Sequence, residues 1–322
     1  MDALSHMQNK LYKKKISRRR IAELLFFASL VIIPTIQFFI FYVGVNFNSF
    51  IQAFKKYELP LGSSSYIISF AKFENFSEAW AIMKNNLSMF TNALILFAWN
   101  MLVGMPLAVI FSFYIYKKYT LSGLYKVVLF MPQIISGLVF ALLFNYITTN
   151  VYQTIVQKLF GKEVYGLLYD LKTRFGTVIF FNLWVSFGSN VLLFSGSMSG
   201  IDPSVVESAR IDGANVIQEL WYITLPLIYP TVVQLIIIGI TSFCSNQMNL
   251  MNLYGAQASE SREMGTIGFF LYKSSTTVEN IATRNTYSFG QLSAMGLILT
   301  MIMLPITLIA RKLMNKYGPS TD

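Results

Sequence analysis

Residues 201–230 read IDPSVVESARIDGANVIQELWYITLPLIYP, a polar island between two long apolar runs. Its chemistry is that of a folded element. Asp202 before Pro203 starts a helix: a carboxylate caps the free N–H groups, and proline sits where its missing N–H costs nothing. Val205, Val206 and Ala209 give that helix a small apolar face. Gly213 ends it, because a reversal of direction needs left-handed dihedrals. Asn215 then caps a second helix, with Gln218 at the spacing of a capping box. Ile217, Leu220 and Trp221 fall at i, i+3 and i+4 and form one stripe, and Pro226 and Pro230 bound its end. The prediction is a compact helix–Gly–helix between two membrane-length segments.

The residues Glu207-Ser208-Ala209, Asp212-Gly213-Ala214 and Ile223-Thr224-Leu225-Pro226 resemble the "EAA" loop of permease subunits of bacterial ABC importers. That family shows roughly E-A-A-x-x-D-G-A and, after a spacer, I-x-L-P. Every anchor agrees in spacing, and Ser208 for the middle alanine is a small-for-small departure. The resemblance implies a coupling helix that docks into a cleft on a cytoplasmic ATPase. It assigns that role to Glu207, Ser208, Ala209, Asp212, Gly213, Ala214, Leu225 and Pro226, within a coupling loop at 202–226. The alternative is a capped amphipathic hairpin lying on the membrane surface. Val205, Val206, Leu220 and Trp221 are open to contact either with the ATPase or with the chain's own helices.

Working outward, the composition is that of a polytopic membrane protein. The 322 residues are 54% apolar and 12% charged, about half the charge of an ordinary globular chain. A net charge of +10 raises a nucleic-acid reading, but the basic residues sit beside membrane segments, as the positive-inside rule places them. No nucleic acid is expected. The single cysteine, Cys244, excludes an internal disulfide and a cysteine metal cluster. The single histidine, His6, lies in MDALSHM, a candidate appended leader at 1–7. With one histidine, a histidine-based metal site or catalytic triad is not expected.

The predicted fold is an all-α membrane protein with six transmembrane helices. A basic cytoplasmic tail occupies 1–20, and the permease domain occupies 21–322. The spans are expected at 21–45, 88–116, 124–147, 175–201, 227–253 and 290–309. Residues 46–87 are expected to lie outside the membrane on the far face, as are 148–174 and 254–289, with 264–272 as a candidate interfacial helix. An even number of spans puts both termini, the Lys117/Lys118/Lys126 turn and the loop at 202–226 in the cytoplasm. The length and plan resemble the oligosaccharide (maltose-type) class, which implies the type I importer permease fold in a bacterial cytoplasmic membrane.

No catalytic constellation is present, so the chain reads as a transport subunit rather than an enzyme. It has no G-x-x-x-x-G-K-[ST] phosphate loop, so no cofactor is expected in it. ATP and Mg would be bound by the partner ATPase. Polar groups inside spans are costly and ask for a reason. The second and third spans offer Asn100, Gln133 and Asn145; the fourth offers Asn182, Trp184, Ser186, Ser189 and Asn190. The fifth offers Ser242, Ser245, Asn246, Gln247, Asn249 and Asn252. None is charged, and amides and hydroxyls among aromatics suit a neutral, hydroxyl-rich ligand such as an oligosaccharide. Hydrogen bonding between helices is the competing account of each residue alone. The chosen candidates are Asn182, Trp184, Asn190, Ser245, Asn246, Gln247 and Asn249.

The stretch from Phe243 to Met251 resembles the late-helix segment of sugar permeases, which implies sugar contact for Asn246, Gln247 and Asn249. The family's following T-x-G-G-P turn is replaced by Gly255-Ala-Gln-Ala-Ser-Glu-Ser. The resemblance further implies a second permease, a cytoplasmic ATPase dimer, an extracellular solute-binding lipoprotein and transport by alternating access. An amino-acid or peptide permease is the nearest alternative. An ion-coupled secondary transporter is weaker, because Glu23 is the only acidic residue clearly inside a span.

Overall fold

The computed structural model describes residues 18–58, 67–255, 264–276 and 288–319. Most of the basic tail, residues 59–66 within the expected outer segment 46–87, and the stretch following Gly255 lie outside the described residues. Helix α1 (Arg18–Gln37) passes through a π-helical stretch, Phe38–Gly44, into α2 (Val45–Gln52). A hairpin follows, β1 (Lys55–Glu58) antiparallel to β2 (Ile67–Phe70), with Lys55 opposite Phe70. Then come α3 (Glu74–Asn85), α4 (Leu87–Trp99), the π-helical stretch Asn100–Gly104, and α5 (Met105–Tyr116). Next are α6 (Ser122–Ile134), α7 (Gly137–Tyr146), α8 (Tyr152–Phe160) and α9 (Arg174–Ser199). The loop comprises α10 (Pro203–Ile211), α11 (Val216–Gln218), a π-helical stretch, Glu219–Thr224, and α12 (Leu225–Leu227). The chain ends with α13 (Tyr229–Ser242), α14 (Leu250–Tyr254), α15 (Ile267–Thr276) and α16 (Phe289–Tyr317).

Among the described residues, four helices are long and apolar enough to cross a membrane: Ala22–Gln52, Leu87–Tyr116, Arg174–Ser199 and Phe289–Tyr317. Two bent pairs, Ser122–Ile134 with Gly137–Phe160 and Val216–Leu227 with Tyr229–Ser242, raise the number to six if each is one span. The broad plan therefore agrees with the sequence expectation, and the departures are local. The first apolar helix runs on to Gln52 and takes in residues expected outside the membrane. The third span is not one rod. It bends by 104° where Ile135 and Ser136 leave helical dihedrals. The fifth ends at Ser242 rather than near 253: the chain leaves the helix through a turn, and Met248 and Asn249 at positive φ separate it from the short helix that starts at Leu250. The β hairpin is an addition to the all-α expectation.

The 264–272 segment also differs from an interfacial helix. Ile267, Phe269 and Phe270 of α15 are almost wholly buried. They join two apolar cores, one around Phe144, Phe181 and Leu250, the other around Met83, Met89 and Met295. Apolar content alone cannot distinguish a helix at a membrane surface from one enclosed by protein. The third core lies at the loop end, around Met105, Phe113, Phe194, Met198 and Ile228.

Helix α9 is the central post, lying against α5 and α6. Ser112 of α5 donates to the Val191 carbonyl at 2.9 Å, which ties α5 to α9. At the α6 crossing, Gly188 permits close backbone approach. A Cβ there would lie 2.2 Å from the Leu129 carbonyl oxygen.

Candidate functional site: a polar cavity and a capped loop

The fourth and fifth spans place their amides on one wall. Asn182, Ser186 and Asn190 recur every fourth residue of α9 and so share a face. With Asn100, Ser242, Asn246 and Asn249 they line a cavity of about 280 Å³ between α4, α9 and α13. Apolar lining comes from Phe97, Met101, Met105 and Phe243 among others, and no charged residue borders the cavity among the described residues.

The bend after α13 puts Asn246 and Asn249 there. Asn246 Oδ1 accepts from the Met248 N–H at 2.8 Å, an Asx turn, and leaves Nδ2 without a partner among the described residues. Asn249 Nδ2 donates to Asn182 Oδ1 at 2.9 Å, and Asn182 Nδ2 donates to the carbonyls of Val178 and Met248 at 2.8 and 2.9 Å. Asn182 is therefore saturated by protein groups and holds the turn. Ser186 donates to Asn100 Oδ1 at 3.1 Å. Asn190 is half-buried and lines the cavity, and its side chain makes no hydrogen bond among the described residues.

Of the seven sequence candidates, the structure gathers Asn182, Asn190, Asn246 and Asn249 at this cavity. Trp184 points elsewhere, packed edge-on against Phe140 with ring centroids 5.1 Å apart. It lies two positions from Asn182, more than half a turn round the helix, which the 3.6-residue period already implies. Ser245 and Gln247 line a separate cavity of about 540 Å³ with Asn46, Ser49, Tyr272 and Thr300. Asn100, Ser186 and Ser242 line the first cavity but were not among the chosen candidates. The four-residue spacing was the available signal for Ser186. Asn145 and Gln133 bond the Leu253 and Val185 carbonyls and so link segments.

The loop at 202–226 has the predicted caps. The Ser204 N–H donates to Asp202 Oδ1 at 2.9 Å, and Ser204's backbone and hydroxyl hold the Asp202 carboxyl below the usual carboxylate range. Asn215 and Gln218 form both bonds of the capping box, each 2.9 Å. Gly213 has φ +85°, and the Ala214 N–H closes the turn on the Ala209 carbonyl at 2.9 Å. Glu207, Ser208 and Asp212 are exposed; Ala209, Ala214, Leu225 and Pro226 are half-buried. The four apolar candidates divide. Val206 and Leu220 turn inward, Leu220 onto the third core, whereas Val205 and Trp221 stay 43% and 60% exposed.

Sequence reasoning missed a buried carboxylate in this loop. Glu219 pairs with Lys117 at the end of α5, their side chains 3% and 7% exposed. Arg210 Nε of α10 lies 3.7 Å from the other carboxylate oxygen.

A helical membrane protein with an uncharged polar cavity between its spans, and a rigidly capped loop at one end of them, has the architecture of a transport permease. The family described as "Binding-protein-dependent transport system inner membrane component" matches residues 101–321, more than half of the chain, and the chain belongs to it. It is a multi-pass protein of the cytoplasmic membrane. The arabinooligosaccharides transport system permease protein AraP of Bacillus subtilis (strain 168) is 24% identical over 307 residues, 93% of this chain and 90% of the relative. The polygalacturonan/rhamnogalacturonan transport system permease protein YteP of the same organism is 22% identical, covering 96% and 94%. A chain of a bacterial ABC transporter involved in the import of the acidic polysaccharide alginate has the same fold. Its TM-score is 0.72 at 19% identity, covering 93% of this chain and 98% of that one.

Proposed function

We propose that this chain is the oligosaccharide-translocating half of an ATP-driven importer fed by a binding protein. The observation that carries the reading is the cavity of amide and hydroxyl groups, with apolar walls and no charged lining among the described residues. Sugar hydroxyls donate and accept at once, which amides match, and the apolar C–H faces of a pyranose suit Phe97 and Phe243. The relatives are named for glycans both neutral and acidic. Neutral glycans are favoured here, because a carboxylated sugar would enter a polar site without a counter-ion.

The capped loop supplies coupling. With the loop in the cytoplasm, exposed Glu207, Val205 and Trp221 present a charged and apolar surface to an ATPase, which would hold ATP and Mg. Gly213 sets the reversal that shapes this surface. A second permease completes the pore, an ATPase dimer closes beneath the two loops, and a binding lipoprotein delivers the glycan. The cavity then opens to alternate sides of the membrane.

Reconstitution of the assembled complex in lipid tests this. Neutral oligosaccharides on the binding protein should stimulate ATP hydrolysis and enter the vesicles, and uronate-containing ones should do so poorly. Stimulation by amino acids or peptides, or uptake driven by an ion gradient without ATP, would overturn the reading.

A further inference from the structure

The Glu219 carboxylate is almost wholly buried, yet it faces two cations from two other elements: Lys117, the residue that ends α5, and Arg210, in the last turn of α10. Lys117 also lies 5.3 Å from the Phe113 ring centroid, so its charge is enclosed by the third apolar core. Burying ions there is expensive, and apolar side chains of the same volume would serve stability as well or better. What the pair supplies is geometry: it fixes the loop to one particular helix.

That helix leads to the cavity. Lys117 stands at one end of α5 and Met105, a cavity-lining residue, begins the other. Glu219 opens the π-helical stretch Glu219–Thr224, in which the fully buried Thr224 hydroxyl has no hydrogen-bond partner among the described residues. The segment beyond Glu219 is therefore π-helical and carries an unpaired buried hydroxyl, a poorer lever than a regular α-helix. The ion pair bypasses it. Glu207, by contrast, is exposed.

We propose that Glu219, paired with Lys117, is the positioning residue through which movement of the loop at 202–226 reaches α5 and hence the cavity. The inference rests on the reading of that loop as the ATPase-coupling element. It separates the contact that receives the motion, on the exposed face, from the contact that transmits it.

The test uses the assembled complex in proteoliposomes, with hydrolysis and glycan uptake measured on the same preparation. Glu219→Gln and Lys117→Met should lower glycan imported per ATP by about tenfold, the scale on which transmitting residues alter coupling. The exchanged pair, Lys117→Glu with Glu219→Lys, made together with Arg210→Gln so that the new lysine meets no second cation, should recover most of it, as a shape or stability defect would not. Unchanged uptake per ATP in either single variant, or an exchanged pair no better than the singles, would overturn the proposal. Where a single variant does not assemble, Glu219→Asp, which keeps the charge and shortens its reach, takes its place with the same two outcomes. Wild-type hydrolysis stimulated by the binding protein is the control that separates the readings. Its absence would sink both this proposal and the importer reading; its presence with an unchanged ratio would sink this one alone.

Discussion

Asn249 and Asn182, 67 positions apart, are joined by a 2.9 Å hydrogen bond from Nδ2 to Oδ1 that holds the turn after α13 against α9. Asn182 spends its own Nδ2 on two carbonyls, one of them Met248 in the same turn. Both Met248 and Asn249 sit at positive φ, so the turn is strained and needs this bracing. Asn182→Ala would leave the Met248 carbonyl and the Asn249 amide short of partners in a buried site. It should cost about 1–3 kcal/mol, seen as a lower unfolding temperature of the detergent-purified complex.

Asn190 is expected to behave in the opposite way. It lines the same cavity on the same helix face, but its side chain hydrogen-bonds to no described residue. Asn190→Ala should leave the unfolding temperature unchanged to within about 0.5 kcal/mol of stability. Glycan uptake should fall several-fold, through loss of a hydrogen bond offered only to the passing ligand. Uptake assays beside a thermal melt separate the two residues.

The crossing of α6 and α9 gives a purely steric prediction. A Cβ on Gly188 would meet the Leu129 carbonyl oxygen at 2.2 Å, whereas one on Gly196 meets nothing within 4 Å. Gly188→Ala should therefore destabilise by about 1–3 kcal/mol, since backbone must shift. Gly196→Ala should be neutral or stabilising, because alanine is the better helix former by about 1 kcal/mol. Thermal melts of the two variants check the sign of each.

What the sequence made legible follows the range of the interaction. The Asp202 cap, the Gly213 reversal and the Asn215–Gln218 box were readable because each is made within three residues or by one residue's own dihedrals. The long apolar runs gave the spans. The 104° break in the third was not placed, because Pro132 advertises a disruption that the backbone delivers three residues later, at Ile135. Burial of α15 and the Lys117–Glu219 pair depend on packing between distant segments, the pair across 102 positions, so no local pattern announces them. At the cavity, residue type was legible and direction only partly so. Helical spacing selects Asn182, Ser186 and Asn190 and rejects Trp184, but the fate of Ser245 and Gln247 is decided by a turn whose two positive-φ residues, Met248 and Asn249, no helix period describes.

Coupling through the loop is tested most directly by ATP hydrolysis of the purified complex in lipid, with and without glycan-loaded binding protein, for wild type and Gly213→Pro. Proline fixes φ near −65° where Gly213 needs +85°, and it removes the N–H that donates to the Arg210 carbonyl at 3.1 Å. The predicted result is stimulated hydrolysis in the wild type and loss of that stimulation in a Gly213→Pro complex that still assembles. Full stimulation in the assembled variant would contradict the assignment of residues 202–226 as the element that couples ATP hydrolysis to transport.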